Sequence, residues 1–413
     1  QAEAAPLSID LPTGDVNSPE DVAPSFHFGH ALLHQLGKRL KLDVFFRQYA
    51  GRRDADELLH AIEYLLVRRC SDPESIYRCY REQPRYAGLN ALTLDMLYSV
   101  LDVLAESKED LIAFLAVFFD KNTKRQNANA YYDVTTYSFE STKWGELRMF
   151  GFSKNHKNNE VQVVMGLLID NNGIPVTYEL FPGNTMDQNT LQAAVERLKQ
   201  LYQLEKITVV ADRGLNSKDN LGYLCTAGHD FVVSYTLKKS SDAFKALALD
   251  LAGWTVTASD KETGEVLRME KVVEETLAYQ TLIDPKAPQP AAPRKRGRPK
   301  KYETHTVPVN IHLTWSAERA AKDRSDRERM LGKLAKKLDK PYQLKASVMR
   351  GVNQYLEMEL DTANWTISEE KVLESQKYDG YYALITNNLE LTTDSVVAIY
   401  RGLWRIGESF SML

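Results

Sequence analysis

The sequence predicts an α/β fold: a mixed five-stranded sheet, preceded by an all-helical region and interrupted by a β-rich insertion. Three observations predict it. Up to about residue 122, apolar residues recur at helical spacing, as in Leu58, Leu59, Ile62, Leu65 and Leu66. Beyond that point short β-branched and aromatic runs take over, and VQVVMGLLI (161–169) is a nearly continuous apolar run of strand length. Between residues 130 and 235 the order is three strands, helix, strand, helix, strand, which means an antiparallel meander followed by parallel strands with crossover helices.

Taken in order, residues 1–25 are rich in Pro, Ala, Ser and acid and read as a loose lead-in. Residues 26–122 read as helices. Leu94, Leu97, Leu101 and Leu104 mark one apolar face, and Ser107 with Asp110 reads as a capping box for a helix over 108–120. His27, His30 and His34 have no carboxylate or Cys close by in sequence, so they read as packed or exposed side chains rather than metal ligands. Residues 123–237 form the first part of the core, with strands over 130–139 and 161–169. A turn at Asn171-Asn172-Gly173 leads to a returning strand over 174–181. Leu191, Ala194, Val195, Leu198 and Leu201 mark an amphipathic helix. A buried strand, Ile207 to Ala211, a helix over 217–226 and a strand over 231–235 follow. This is a ribonuclease H-like order. Residues 238–377 read as the insertion, with strand-like pieces at 254–257, 266–271, 306–315 and 355–360, a linker over 285–293, and a basic helix over 316–338. The core resumes over 378–413 with a strand at 378–387 and a single helix at 395–410 that carries Glu408.

Composition bounds the function. The 413 residues are 43% hydrophobic and 26% charged, ordinary for a soluble globular protein. No apolar run reaches membrane-spanning length and no signal peptide is visible, so no membrane partner is expected. Cys70, Cys79 and Cys225 have no paired spacing, which argues against a disulfide framework or a zinc site. The net charge of −4 argues against nucleic acid, but its distribution argues for it. Residues 294–350 hold 17 basic and 6 acidic side chains, a local +11 that leaves −15 elsewhere. Such segregation suits an electrostatic footprint on DNA, with a solvated basic helix as the plainer alternative. Inside it, Arg296-Gly297-Arg298-Pro299 resembles the core of an AT-hook. Arg296 and Arg298 would enter a narrow minor groove of double-stranded DNA; a solvated basic linker is the other reading.

The chemistry centres on two aspartates. Asp133 lies within a strand, where a carboxylate is costly unless paired or bound to a cation. Asp212 directly follows the strand that ends at Ala211. In this strand order the two strands are neighbours, with Asp212 at a carboxyl end, the edge where open α/β sheets place their chemistry, so the two carboxylates can converge within one cation's reach. Taken alone, Asp133 also fits a half-exposed strand facing water. The pair fits a site for hard divalent cations of the two-metal phosphoryl-transfer kind.

From about residue 26 the chain resembles the DDE transposases of bacterial insertion sequences, in the branch with a Tyr-Arg-Glu-Lys signature. The residues that carry the resemblance are Asp133-Val-Thr-Thr, Gly151-Phe-Ser-Lys, Gly183-Asn-Thr-Met-Asp187, Val210-Ala-Asp212-Arg213-Gly214, the block from Trp315 to Glu328, Tyr378-Asp-Gly380, and Tyr400-Arg-Gly-Leu-Trp404-Arg-Ile406. The resemblance implies a ribonuclease H-like core and Mg2+-dependent cutting and joining of transposon ends, with Mn2+ able to substitute. It also implies a homodimer on double-stranded DNA in the bacterial cytoplasm. Asp133 and Asp212, with Glu408, would be the catalytic metal ligands. Arg213 would hold a phosphate, Tyr400 and Trp404 would stack on bases or simply pack, and Arg405 would meet the DNA backbone. The family helix reads Tyr, two residues, Arg, three residues, Glu, six residues, Lys. Laid on Tyr400, its Arg falls on Leu403, its Glu on Gly407, and its Lys beyond Leu413, so this last element reads as shortened. Glu408 comes one residue late, a rotation of about 100° on a helix, and serves as third ligand only if the helix adjusts.

Two functions follow as expectations. One is a transposase that binds insertion-sequence ends and cuts DNA with Mg2+. The other is a transposase-derived DNA-binding protein without its third carboxylate. A ribonuclease H-like nuclease of another kind is a weaker third, opposed by the insertion blocks.

Overall fold

The structure, a computed structural model, describes residues 30–86, 92–122, 129–151, 160–186, 189–202, 206–282, 302–338, 354–359 and 364–411. Arg296, Arg298 and His27 lie outside them.

Six helices open the described chain: α1 (His30–Arg39), α2 (Leu42–Arg47), α3 (Ala55–Ser71), α4 (Ile76–Glu82), α5 (Leu94–Glu106) and α6 (Lys108–Asn122). Their apolar stripes close on a core of their own, built on Phe46, Leu58, Ile62, Tyr64, Leu97 and Val100. Asp54 caps α3 by accepting from the amides of Asp56 and Glu57, and Thr93 caps α5 through Met96. Ser107 makes no such cap. It takes a helical conformation between α5 and α6, and its buried hydroxyl has no partner. The buried Arg68 is satisfied by Glu82 at 2.8 Å, the Tyr86 hydroxyl at 2.7 Å and Asp72 at 3.3 Å. His34 finds a carboxylate the local sequence does not offer, Glu63 on α3, with Nδ1 2.5 Å from Oε1.

The strands are β1 (Asn129–Phe139), β2 (Val161–Ile169), β3 (Pro175–Pro182), β4 (Thr208–Ala211), β5 (Asp230–Ser234), β6 (Thr255–Ser259), β7 (Val266–Leu282), β8 (Tyr302–Ser316), β9 (Leu356–Glu359), β10 (Asn364–Ile367) and β11 (Tyr381–Thr386). The remaining helices are α7 (Leu191–Tyr202), α8 (Lys218–Thr226), α9 (Asp242–Leu249), α10 (Ala317–Leu338), α11 (Glu369–Gln376), α12 (Thr393–Arg401) and α13 (Trp404–Ser411). The main sheet runs β3-β2-β1-β4-β5-β11-β8-β7-β6, and β9 pairs with β10 apart from it. Its first five strands are the expected ribonuclease H-like set: antiparallel β3-β2-β1, then β4 and β5 parallel to β1. Every residue of β2 is buried, which explains its unbroken apolar run.

Four more strands extend the sheet to nine. β11 pairs with β5 on one side and β8 on the other, so β8, β7 and β6, from the stretch expected as an insertion, continue the same sheet. β7 is far longer than the expected 266–271 because it pairs with β8 from Arg268 opposite Ser316 to Leu282 opposite Tyr302. Helices cover both faces. Leu191, Val195, Leu198 and Leu224 of α7 and α8 pack with Tyr132 and Val134 on one face. On the other, Ile406 of α13 packs with Tyr131, Leu167 and Val210.

Candidate active site

Across the parallel β1–β4 pair, Tyr132 lies opposite Ala211. Asp133 and Asp212 are the next residues along, so both carboxylates leave adjacent strands at one level. Strand alternation puts Asp133 on the face of Tyr131 and Asp212 on that of Val210, which is the face beneath Ile406. Both line a single cleft of about 540 Å3, together with Tyr382, Tyr400, Trp404 and Gly407. Asp133 is half-buried, and its Oδ1 accepts from the Val134 amide at 2.7 Å. Asp212 is exposed, and its Oδ1 accepts from the Tyr400 hydroxyl at 3.1 Å. Burial first, then the neighbouring Tyr382 and Asp212, push the Tyr400 pKa well above its ordinary value. The phenol therefore stays protonated and donates.

Two aspartates at one edge offer hard oxygen donors of the kind Mg2+ and Mn2+ take, with water and phosphate filling the other positions. Among the described residues no group of three or more His, Cys, Asp or Glu side chains is arranged to hold a metal ion. The donor set thus fits a divalent cation at two protein ligands and stops there.

The expected third ligand is not at the site. The single helix over 395–410 is in fact two, α12 and α13, and hydrogen bonds run three residues back at the junction, from Gly402 to Ile399 and from Leu403 to Tyr400. The junction runs close over Tyr131: a Cβ at Gly402 would lie 2.3 Å from its hydroxyl oxygen, so glycine lets the chain pass there. The adjustment does not bring Glu408 round. Glu408 is exposed and outside the cleft lining, whereas Gly407 lies in it. A Cβ on Gly407 would meet nothing within 4 Å, so the place opposite the two aspartates is open.

Trp404 lines the cleft with 59% of its surface exposed. Tyr400 does too, though its hydroxyl is engaged by Asp212. Arg213 is exposed and faces a neighbouring cleft. Arg405 is directed elsewhere: it donates to the Asn171 carbonyl in the β2–β3 turn and lies along Gly173, so the turn consumes the guanidinium expected to meet DNA.

Arg319 and Tyr382 were missed by sequence reasoning. Arg319 lines the cleft with its guanidinium 4.9 Å from the centre of the Tyr382 ring. The available signal was the spacing of Arg319, Asp323 and Arg327, one face of α10. Asp323 accepts from the Gly380 amide at 3.0 Å, and Arg327 grips Asp379 through both nitrogens at 2.5 and 2.6 Å. Gly380 has φ +84, and a Cβ there would strike Trp315 and Ser316. Two blocks of the resemblance, 315–328 and 378–380, are therefore one docking joint.

A ribonuclease H-like sheet with two aspartates at one level of neighbouring strands defines the class. The description of the transposase DDE domain family matches residues 132–413, and the chain belongs to that family. No curated protein matches it in sequence. Among solved structures, a piggyBac transposase synaptic complex with hairpin DNA is similar at TM-score 0.39 and 8% identity, over 87% of this chain and 59% of that one. A Mos1 transposase paired-end complex with left transposon end is similar at TM-score 0.19 and 11% identity, over 41% of this chain and 57% of that one. This chain spans less than two thirds of the length of each of these two solved proteins. No helix among the described residues is long and apolar enough to cross a membrane.

Proposed function

We propose that the protein is an insertion-sequence transposase that binds double-stranded DNA ends as a homodimer and holds a divalent cation, Mg2+ or Mn2+, at Asp133 and Asp212. The observation that carries this is the pairing of Tyr132 with Ala211, which sets the two carboxylates side by side in one cleft. The cation, when bound, supplies charge stabilisation at a phosphoryl oxygen. Tyr400 orients Asp212 for that task, and Trp404 offers an aromatic face to a base. Because Gly407 stands where a third carboxylate would reach, the chain as it stands binds ends better than it cuts them. This favours the impaired form of the transposase reading over the fully active one.

The test compares cleavage of duplexes bearing the element's own ends by the parent chain and by Gly407→Glu, in Mg2+ and in Mn2+. Faster cutting by Gly407→Glu is expected. Equal cutting by both removes the role of position 407. Absence of both end binding and cutting in either protein sinks the transposase reading.

A further inference from the structure

Arg319, Asp323 and Arg327 recur at helical spacing along one face of α10, and each meets its own residue where the chain enters β11. Arg327 grips Asp379, Asp323 takes the Gly380 amide, and the Arg319 guanidinium lies 4.9 Å from the centre of the Tyr382 ring. Asp323 steadies Arg319 from below, with Oδ1 3.6 Å from Nε. The first two contacts dock the helix. The third reaches further, because Tyr382 leads to Asp212 by two routes. Its ring centre is 5.9 Å from that of Tyr400, whose hydroxyl donates to Asp212 Oδ1. Its own hydroxyl donates to Oγ of the buried Ser234 at 3.2 Å. The Ser234 carbonyl in turn accepts from the Asn216 side chain at 2.8 Å. Asn216 closes the short turn that Asp212 opens, in which the Leu215 amide donates to the Asp212 carbonyl at 3.0 Å.

We infer that Arg319 and Tyr382 are positioning residues for Asp212, so that the docking of α10 sets how this carboxylate is presented to a divalent cation. Asp212 is exposed and follows the last residue of β4, so the sheet alone does not fix its side chain. A carboxylate that must be ordered as it binds loses affinity to that ordering, and one held beforehand does not. The hold on Asp212 comes from both ends: Tyr400 on its carboxylate, and Asn216 at the foot of its turn. Tyr382 stands where the two meet, and Arg319 rests on its ring. Neither Arg319 nor Tyr382 is a ligand in this account. The inference rests on the reading of Asp133 and Asp212 as a cation site and deepens it, since it makes that site depend on a helix from the stretch expected as an insertion.

The test is calorimetric titration of the full chain with Mn2+ in the absence of DNA, so that a role of Arg319 on a DNA phosphate would leave the result unmoved. Tyr382→Leu, which loses ring and hydroxyl, is expected to weaken Mn2+ binding about tenfold, the low end for partners of a metal ligand. Arg319→Met is expected to weaken it about two- to fivefold, the equivalent of a half-exposed cation–π contact. Arg319→Lys, which keeps a cation over the ring, recovers part of that loss. The double variant Arg319→Met with Tyr382→Leu binds no more weakly than Tyr382→Leu alone, because Arg319 acts through Tyr382. Parent-like affinity in Arg319→Met overturns the inference and leaves the cation site standing. So does a loss as large in Arg319→Lys as in Arg319→Met, or a double variant in which the two losses simply multiply. Absence of Mn2+ binding by the parent overturns the cation site and the inference together.

Discussion

The Tyr400 hydroxyl donates to Asp212 Oδ1 at 3.1 Å, which ties α12 to the end of β4 across 188 residues of sequence. The bond occupies one of the carboxylate's several lone pairs and fixes the direction of the others. Tyr400→Phe keeps the ring against Tyr382 and removes the hydroxyl, with its bond to Asp212 and its polar contact with Tyr382. Mn2+ affinity is expected to fall about tenfold, the usual effect of losing the partner of a metal ligand, with the melting temperature of the metal-free protein nearly unchanged. Isothermal titration with Mn2+ reads this directly, and an unchanged affinity removes Tyr400 from the site.

Asp133→Asn and Asp212→Asn keep shape and lose charge. A cation that binds only the folded chain raises its melting temperature in proportion to the logarithm of concentration over Kd. The parent is expected to be stabilised by Mn2+ and each variant not. A variant that retains the full shift is not missing a ligand.

Arg327 and Asp379 form the buried part of the joint between α10 and β11. Arg327→Met leaves Asp379 without its partner and is expected to cost about 3–5 kcal/mol, measured by urea unfolding. Replacing both residues with apolar ones recovers much of that loss. If the single and double variants are equally unstable, the pair is not what holds the joint.

Gly402→Ala puts a methyl group against the Tyr131 hydroxyl. A cost of about 1–3 kcal/mol is expected from the overpacking. A smaller side chain at 131 relieves it, so Tyr131→Leu combined with Gly402→Ala is expected to be less destabilised than the two single losses summed.

His229 and His312 are buried, and burial lowers the pKa of each from its ordinary 6.5. Between the folded pKa and 6.5 the unfolded chain binds more protons, so stability falls as pH falls through that window, by at most about 1.4 kcal/mol per pH unit for each histidine. Denaturation curves between pH 7 and 5 are expected to show this slope, and His312→Phe to flatten part of it. An unchanged slope assigns the pH dependence to other groups.

The parts legible in the sequence were those whose cause is local. β2 declared itself because both its faces are buried, and the nearness of Asp133 to Asp212 because strand order alone makes β1 and β4 neighbours. What was not legible depends on contacts far apart in the chain. Val396, Ile399, Leu403, Ile406 and Phe410 are spaced for one helix, and the break falls where Gly402 passes over Tyr131, about 270 residues earlier in the chain. Arg405 looked free for DNA until the β2–β3 turn took it. The reach of the sheet beyond β5 was hidden for the same reason, since strand partners so distant in sequence leave no periodic trace. The Arg319 spacing was present, but the basic helix that carries it was read as a whole, as a footprint on DNA or a solvated face.

β11 is paired along both of its sides, with β5 and with β8, and the β8 contact runs from Tyr381 opposite Trp315 to Thr386 opposite Asn310. Cutting out residues 238–377 to obtain a minimal core would strip one of those sides. A bare strand edge next to a buried apolar core invites pairing with another chain. β8 therefore covers that edge, and a shortened core is expected to self-associate unless the edge is charged or covered.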